Sequence, residues 1–216
     1  MNIVDLSHTL ENRMPVFPGD PAPRFLVQGD LRSGDAFTLT RFEMTTHTGT
    51  HVDCNTHVLP EGFRTDGGDL SRFVGRGAAV DCRMFKEGEQ IPADVFISYD
   101  LSTKAFVLLC CGWDRYWGTE RFFGDYPVLS EEAAKYLSKL DDLRGIGVEY
   151  ASVDPLFDEA LTLHRILLGG KDKCVIENLC NLDQLLGRDF LFFALPLKFK
   201  NGEGSPVRAV AILDWE

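Results

Sequence analysis

Thr46-His47-Thr48-Gly49-Thr50-His51-Val52-Asp53-Cys54-Asn55-Thr56-His57 holds three of the chain's five histidines, with an aspartate in phase. Positions 47, 51, 53 and 57 share one parity, so on an extended chain all four side chains point to one face. A helix, at about 100° per residue, would part 47 and 51 from 53 and 57. The stretch therefore predicts a strand or extended loop. His51 and Asp53 would stand about 7 Å apart along it and reach one cation together, but His47 and His51 would be about 13 Å apart. The chain must bend between them, and Gly49 is the residue there that takes positive φ without steric cost.

Imidazole nitrogens with a carboxylate and no thiolate suit Zn²⁺, Mn²⁺ or Fe²⁺ and differ from a structural zinc site, which recruits cysteine. Cys54 has the opposite parity and is expected to point away. The bland alternative is a set of ordinary polar residues on a solvated strand. Three histidines and an aspartate on one face make a metal site the better reading.

Outward from this stretch, the pattern is strand-rich. Ile3 to Leu6, Arg24 to Val27 and Phe37 to Thr46 read as strands. Gly77 to Cys82, Ala105 to Cys111, Ile146 to Tyr150, Cys174 to Ile176, Phe190 to Leu195 and Val207 to Leu213 have the length and apolar content of buried strands. Between the first two strands, Met14 to Pro23 carries four prolines and reads as a stiff loop. The clearest helix is Ser130 to Leu140, with Ser130 as cap, Glu131 and Glu132 at the positive end, and Ala134, Leu137 and Leu140 on one stripe. A second helix is expected over Leu161 to Leu168, stopped by Gly169-Gly170. No repeat or Gly/Ser-rich linker divides the chain, so the expectation is one α/β domain spanning residues 1–216.

The 216 residues are 44% hydrophobic, enough for a proper core. A net charge of −11 without any Lys/Arg run argues against a nucleic-acid partner. The longest apolar runs, Ala105 to Cys111 and Phe190 to Leu197, fall short of the roughly 20 residues a membrane helix needs. The opening Met1 to His8 has neither a basic nor an apolar leader region, so a cytoplasmic location is expected. Six cysteines include no C-x-x-C pair and read as reduced, buried hydrophobes.

His47, Gly49, Thr50, His51, Asp53 and His57 spell H-x-G-T-H-x-D-x-x-x-H. In this the chain resembles the cyclase-like metal-dependent hydrolases, to which bacterial kynurenine formamidases and isatin hydrolase belong. The likeness extends to Val4-Asp5-Leu6-Ser7, Met14 to Asp20, Ser152-Val153-Asp154-Pro155 and Ser205 to Ala209. It implies a swivelling β/β/α-type fold with a central β-structure flanked by helices, and a homodimer or larger assembly. It also implies a two-metal site of His47, His51 and Asp53 completed by His164 and Glu177, with His57 assigned to proton transfer. Apart from the resemblance, His164 and Glu177 read as a helix-face histidine and a strand-end acid. Two departures stand out: Asn55 occupies a position where many members have proline, and Glu149-Tyr150-Ala151 replaces the Asp-Thr-Pro-like stretch of the formamidases.

Five ligands exceed the three of a usual open zinc site, so either two ions, zinc or manganese, share a carboxylate or one ion takes a higher coordination number, and two ions is the better reading. A water on zinc ionises near pH 7, at about 7 instead of 15.7, and the metal polarises a carbonyl, so attack on an amide or formamide is the expected chemistry. The leaving amine needs a proton, and histidine is the side chain whose pKa suits its delivery, a task assigned to His57. Phe17, Phe25 and the segment containing Trp113 either wall a pocket for a flat small-molecule substrate, with Phe17 and Trp113 as its named contacts, or belong to the core. No G-x-S-x-G elbow supports a serine hydrolase. The expected activity is therefore cleavage of a small C–N bond, with N-formylkynurenine as leading substrate. The alternatives are a cyclic amide such as isatin, another small acyl substrate, or a metal-dependent binding protein without catalysis.

Overall fold

The computed structural model describes residues 1–169 and 173–214. Its strands and helices run β1 (Asn2–Asp5), β2 (Arg24–Gly29), β3 (Leu39–Glu43), β4 (His51–Asp53), β5 (Val74–Asp81), β6 (Gln90–Ile91), α1 (Ala93–Ile97), β7 (Phe106–Cys110) and β8 (Val128–Leu129). There follow α2 (Glu131–Ser138), β9 (Gly145–Val148), α3 (Thr162–Leu168), β10 (Cys174–Glu177), β11 (Phe190–Phe193), β12 (Gly204–Pro206) and β13 (Val210–Leu213). The result is the expected mixed α/β fold. Each expected strand is present, and both expected helices are: Ser130 caps α2 through the Ala133 N–H at 3.1 Å, and α3 ends at Gly169. The short α1 and the β6–β8 pair were not anticipated, because two to five residues are too few to show a period.

Nine strands form one sheet in the order β1-β13-β11-β5-β7-β9-β10-β4-β12. The centre, β5-β7-β9-β10, is parallel, and both flanks are antiparallel. Strands β7, β9 and β10 are buried at every position, which is why they read as unbroken apolar runs without alternation. Val107 and Leu109 of β7 pack on the helices with Ala134, Leu137 and Leu167, while Phe106 and Leu108 face a second core.

That second core joins Val4 of β1 to Val52 of β4, strands that lie far apart in the sheet order, so the sheet must curl. The C-terminal segment makes the same point. One continuous strand was expected from Val207, but the pairing breaks: β12 lies on β4 at one edge and β13 on β1 near the other, with only residues 207–209 between them. Seven strand spacings of about 4.8 Å would separate β12 and β13 in a flat sheet, whereas four Cα steps span at most about 14 Å. Val207 instead bonds Thr50 O, and Ala209 bonds Ser7 Oγ, so this short crossing ties the two edges together beside β4.

Strands β2 and β3 pair only with each other and form a hairpin apart from the large sheet, with Val27, Phe37 and Phe42 exposed. The six cysteines are free and buried, and Cys54 lies in the second core, away from the histidines. Among the described residues no helix is long and apolar enough to cross a membrane.

Candidate metal centre and pocket

Strand β4 sits between β10 and β12 with His51 opposite Glu177, so the sheet register alone brings an imidazole and a carboxylate to one face. Asp53, two residues on, shares that face. Before the strand, Gly49 takes φ 65° and turns His47 back over it. The ring of His47 thereby comes within 5.1 Å of the His51 ring, in place of the wide separation of a straight strand. After the strand, the chain leaves the extended path and forms a 3₁₀ turn over Asn55–His57, which brings His57 within 4.2 Å of the His47 ring. The expected strand or extended loop is therefore real only over three residues; two bends complete the gathering.

His164 arrives from the first turn of α3. Asp154 accepts the Leu163 N–H at 2.5 Å and the His164 N–H at 3.3 Å, so it serves the helix as a cap although it lies outside the helix. Its Oδ2 is also 2.5 Å from His164 Nδ1. Glu177 is steadied by the Val153 N–H at 2.8 Å. The structure thus brings all six residues, His47, His51, Asp53, His57, His164 and Glu177, into one cluster.

The donor atoms converge. His51 Nε2 lies 3.4 Å from both Asp53 Oδ1 and Glu177 Oε2, and His164 Nε2 lies 3.3 Å from Asp53 Oδ2 and Glu177 Oε1. His47 Nδ1 is 2.7 Å from Asp53 Oδ1. Each ring has an acceptor for its other nitrogen: Gly49 O for His51 Nδ1 at 2.8 Å, Asp154 for His164 Nδ1, and, more loosely, Glu203 Oε1 at 3.7 Å from His47 Nε2. With their Nδ1–H groups so engaged, neutral His51 and His164 present Nε2 lone pairs to carboxylate oxygens. His51 Nε2 and Asp53 Oδ1 are buried without a hydrogen bond. Lone pairs facing lone pairs in a buried site require a cation or an added proton between them. The donor set fits a divalent metal, with the outer hydrogen bonds that orient metal-binding histidines.

Electrostatics give the same reading. Burial alone would lower the pKa of His51, yet the Asp53 and Glu177 carboxylates raise it to about 9. His164 is likewise raised against its burial by Asp154, Asp53 and Glu177. Asp53 is held well below its ordinary value by His47, His51 and His164 despite being buried. Two overlapping triads, His47-Asp53-His57 and His51-Asp53-Glu177, each offer three donor atoms within 4.8 Å of one another, with Asp53 common to both.

The cluster floors a cavity of about 290 Å³ whose wall includes Phe17, Trp117, Phe123, Ala151 and Leu161. Phe17 lines this cavity, but the expectation of Trp113 as a pocket contact is corrected. Its ring is buried in the core, only 3% exposed, donating Nε1–H to Phe122 O, and it does not line the cavity. Trp117, four residues on, does, stacked on His8 at 3.9 Å. Both tryptophans come from one aromatic segment, and only the 3₁₀ turn at Asp114–Tyr116 decides which faces the cavity. Trp117 lies in the aromatic segment singled out by the sequence and Asp154 in the Ser152–Pro155 block, but neither is given its role there; Glu203 escapes the sequence reading, since nothing in its local sequence marks it. Arg208 pairs with Asp5 on the surface.

The two departures have local explanations. Asn55 Nδ2–H donates to Leu168 O at 2.7 Å, tying the turn that carries His57 to the end of α3. Glu149 is buried and accepts the N–H groups of Cys111 and Trp113 at 2.8 and 3.1 Å. Of its stretch only Ala151 lines the cavity.

Residues 4–155 match the profile of the Cyclase family, described as Putative cyclase. The chain is 30% identical over 210 residues to a kynurenine formamidase of Geobacillus thermodenitrificans, covering 95% of each chain. It is 29% identical over 217 residues to cyclase-like protein 3 of Oryza sativa subsp. japonica, covering 97% of this chain and 79% of that one. Its fold superposes on isatin hydrolase A of Labrenzia aggregata with a TM-score of 0.86 and 27% identity, over 98% of this chain and 93% of that one. A profile matching from β1 to Pro155, relatives aligned over nearly the whole length and a gathered H-x-G-T-H-x-D-x-x-x-H motif lead to one conclusion: the chain belongs to the Cyclase family.

Proposed function

We propose that this protein is a metal-dependent amidohydrolase that cleaves a small aryl amide C–N bond, with an arylformamide such as N-formylkynurenine as its leading substrate. The observation that carries the reading is the pair of Nε2 atoms, of His51 and His164, aimed at Asp53 and Glu177 on the floor of an aromatic-walled cavity. The kynurenine formamidase relative supports the formamide. The likeness to isatin hydrolase A favours a second reading, in which the same site opens a cyclic aryl amide.

His47, His51, Asp53, His164 and Glu177 would hold divalent zinc or manganese, two ions if Asp53 serves both triads. Bound there, either cation would polarise the scissile carbonyl, and zinc would bring the pKa of a water toward about 7. The chain's residues do the rest. His57, half-buried on the cavity wall, has its pKa lowered chiefly by burial, so at neutral pH its imidazole is free to take a proton from the attacking water. Delivered to the amide nitrogen, that proton makes the amine a competent leaving group. Phe17 and Trp117 would hold a flat ring and exclude water. The proposal includes one domain over residues 1–216, a cytoplasmic setting in keeping with six free thiols, and a homo-oligomer in which a second copy covers the exposed β2–β3 hairpin.

The test is metal content of protein purified without added metal, paired with hydrolysis of N-formylkynurenine and isatin on the same sample. About two ions per chain with turnover of either substrate supports the reading. Bound ions without turnover of any amide would leave a metal-dependent binding protein.

A further inference from the structure

Besides the histidine and carboxylate cluster, the cavity lining includes a turn of defined chemistry. Phe17-Pro18-Gly19-Asp20 forms a tight turn: the Asp20 N–H donates to Phe17 O at 3.0 Å, and Gly19 has φ 101°. Proline followed by a positive-φ glycine at the two central positions is the signature of a type II turn, which is stiff because proline has little freedom to lose. Both ends of the turn, Phe17 and Asp20, line the cavity, with Trp117 also on its wall. Among the described lining residues Asp20 is the one charged group outside the metal cluster, and there is no lysine or arginine. A carboxylate beside aromatic rings is complementary to an organic cation and repels an anion.

We infer that the site selects aryl amides whose distal end is neutral or carries an ammonium group, and discriminates against those whose only distal charge is a carboxylate, with Asp20 as the specificity-determining residue. This rests on the reading of the cavity as an amidohydrolase site. It separates among substrates that share a formamide: a compound whose distal charge is purely anionic meets Asp20 and finds no counter-ion on the lining.

The experiment compares kcat/KM of the metal-loaded protein for three matched formanilides: the N-formyl derivatives of 4-(aminomethyl)aniline, 4-methylaniline and 4-aminobenzoate. The expected order is cation, neutral, anion, with cation over anion by about tenfold at low salt, shrinking at high ionic strength. Asp20→Asn is expected to compress that ratio several-fold; a metal that merely captured the carboxylate would leave it unchanged in the variant. In parallel, 4-methylbenzylamine is titrated against intrinsic tryptophan fluorescence. It is expected to bind wild-type protein several-fold more tightly than Asp20→Asn. An anionic formanilide turned over as fast as the cationic one, or equal amine affinity in the two proteins, overturns the inference while leaving amide hydrolysis standing. Amine binding that depends on Asp20 without turnover of any formanilide supports the role of the turn and removes the hydrolase reading.

Discussion

Asp154 Oδ2 lies 2.5 Å from His164 Nδ1 while the other oxygen of the same carboxylate accepts the Leu163 N–H at the start of α3. One buried acid thus sets both the helix that delivers the imidazole and the tautomer the imidazole presents. A metal ligand so held loses little freedom on binding.

Asp154→Asn keeps the shape but removes the charge that fixes Nδ1–H. Metal affinity, measured by competition with a coloured chelator, is expected to fall about 10- to 100-fold, the usual scale for such outer hydrogen bonds. Unchanged affinity would mean that packing alone orients His164.

His51→Ala and Asp53→Ala are expected to lose metal first, read by elemental analysis. His57→Ala should retain its metal yet lose turnover by roughly 10²-fold or more, the range of general acid–base contributions. Because His57 also reaches a triad with His47 and Asp53, loss of an ion in His57→Ala would make it a ligand and end its assignment to proton transfer.

Gly49→Ala tests the bend. At φ 65° an L side chain is strained, and its Cβ would meet Leu10 Cδ2 at 2.5 Å. Destabilisation by roughly 1–2 kcal/mol is expected in urea unfolding, with weakened metal binding, because the turn sets the approach of His47 to His51. A variant of wild-type stability and metal affinity would show that the bend is not needed.

The Glu149 carboxyl is pushed up to about 8, first by burial and then by Asp114, against the pull of the N–H groups it accepts. An acid whose pKa is raised by folding binds its proton more tightly in the native state, so its stabilising contribution is complete below the ordinary glutamate range. That contribution is lost as pH rises to about 8. Glu149→Gln imitates the protonated acid. Between about pH 5 and 8 the wild-type urea midpoint should fall relative to this variant. Parallel profiles would show that Glu149 is already ionised at the acid end.

The strands were legible because β7, β9 and β10 are buried on both faces, and burial on both faces leaves a run of Phe, Val, Leu, Ile and Cys in the sequence. The break at Val207 was not, because nothing in Pro206-Val207-Arg208 records which strand lies alongside. Phe17 and Trp113 looked alike as pocket aromatics, yet a single 3₁₀ turn buries Trp113 and offers Trp117.

By itself the sequence determined that His51 and Asp53 share a face, that Gly49 must bend the chain, that an α/β fold results and that the ligand types there suit a divalent metal, since parity, glycine freedom and ligand type are local properties. Only the tertiary structure decided that Glu177 stands opposite His51, that Asp154 and Glu203 back the rings of His164 and His47, and that Asp20 meets the cavity. The pairing of Glu177 with His51 and the approach of Glu203 to His47 come from strand register and a curled sheet that joins segments more than a hundred residues apart, and register is a property of pairs of segments that no single stretch of chain contains; Asp154 reaches His164 across ten residues only because the loop before α3 folds back on the helix start.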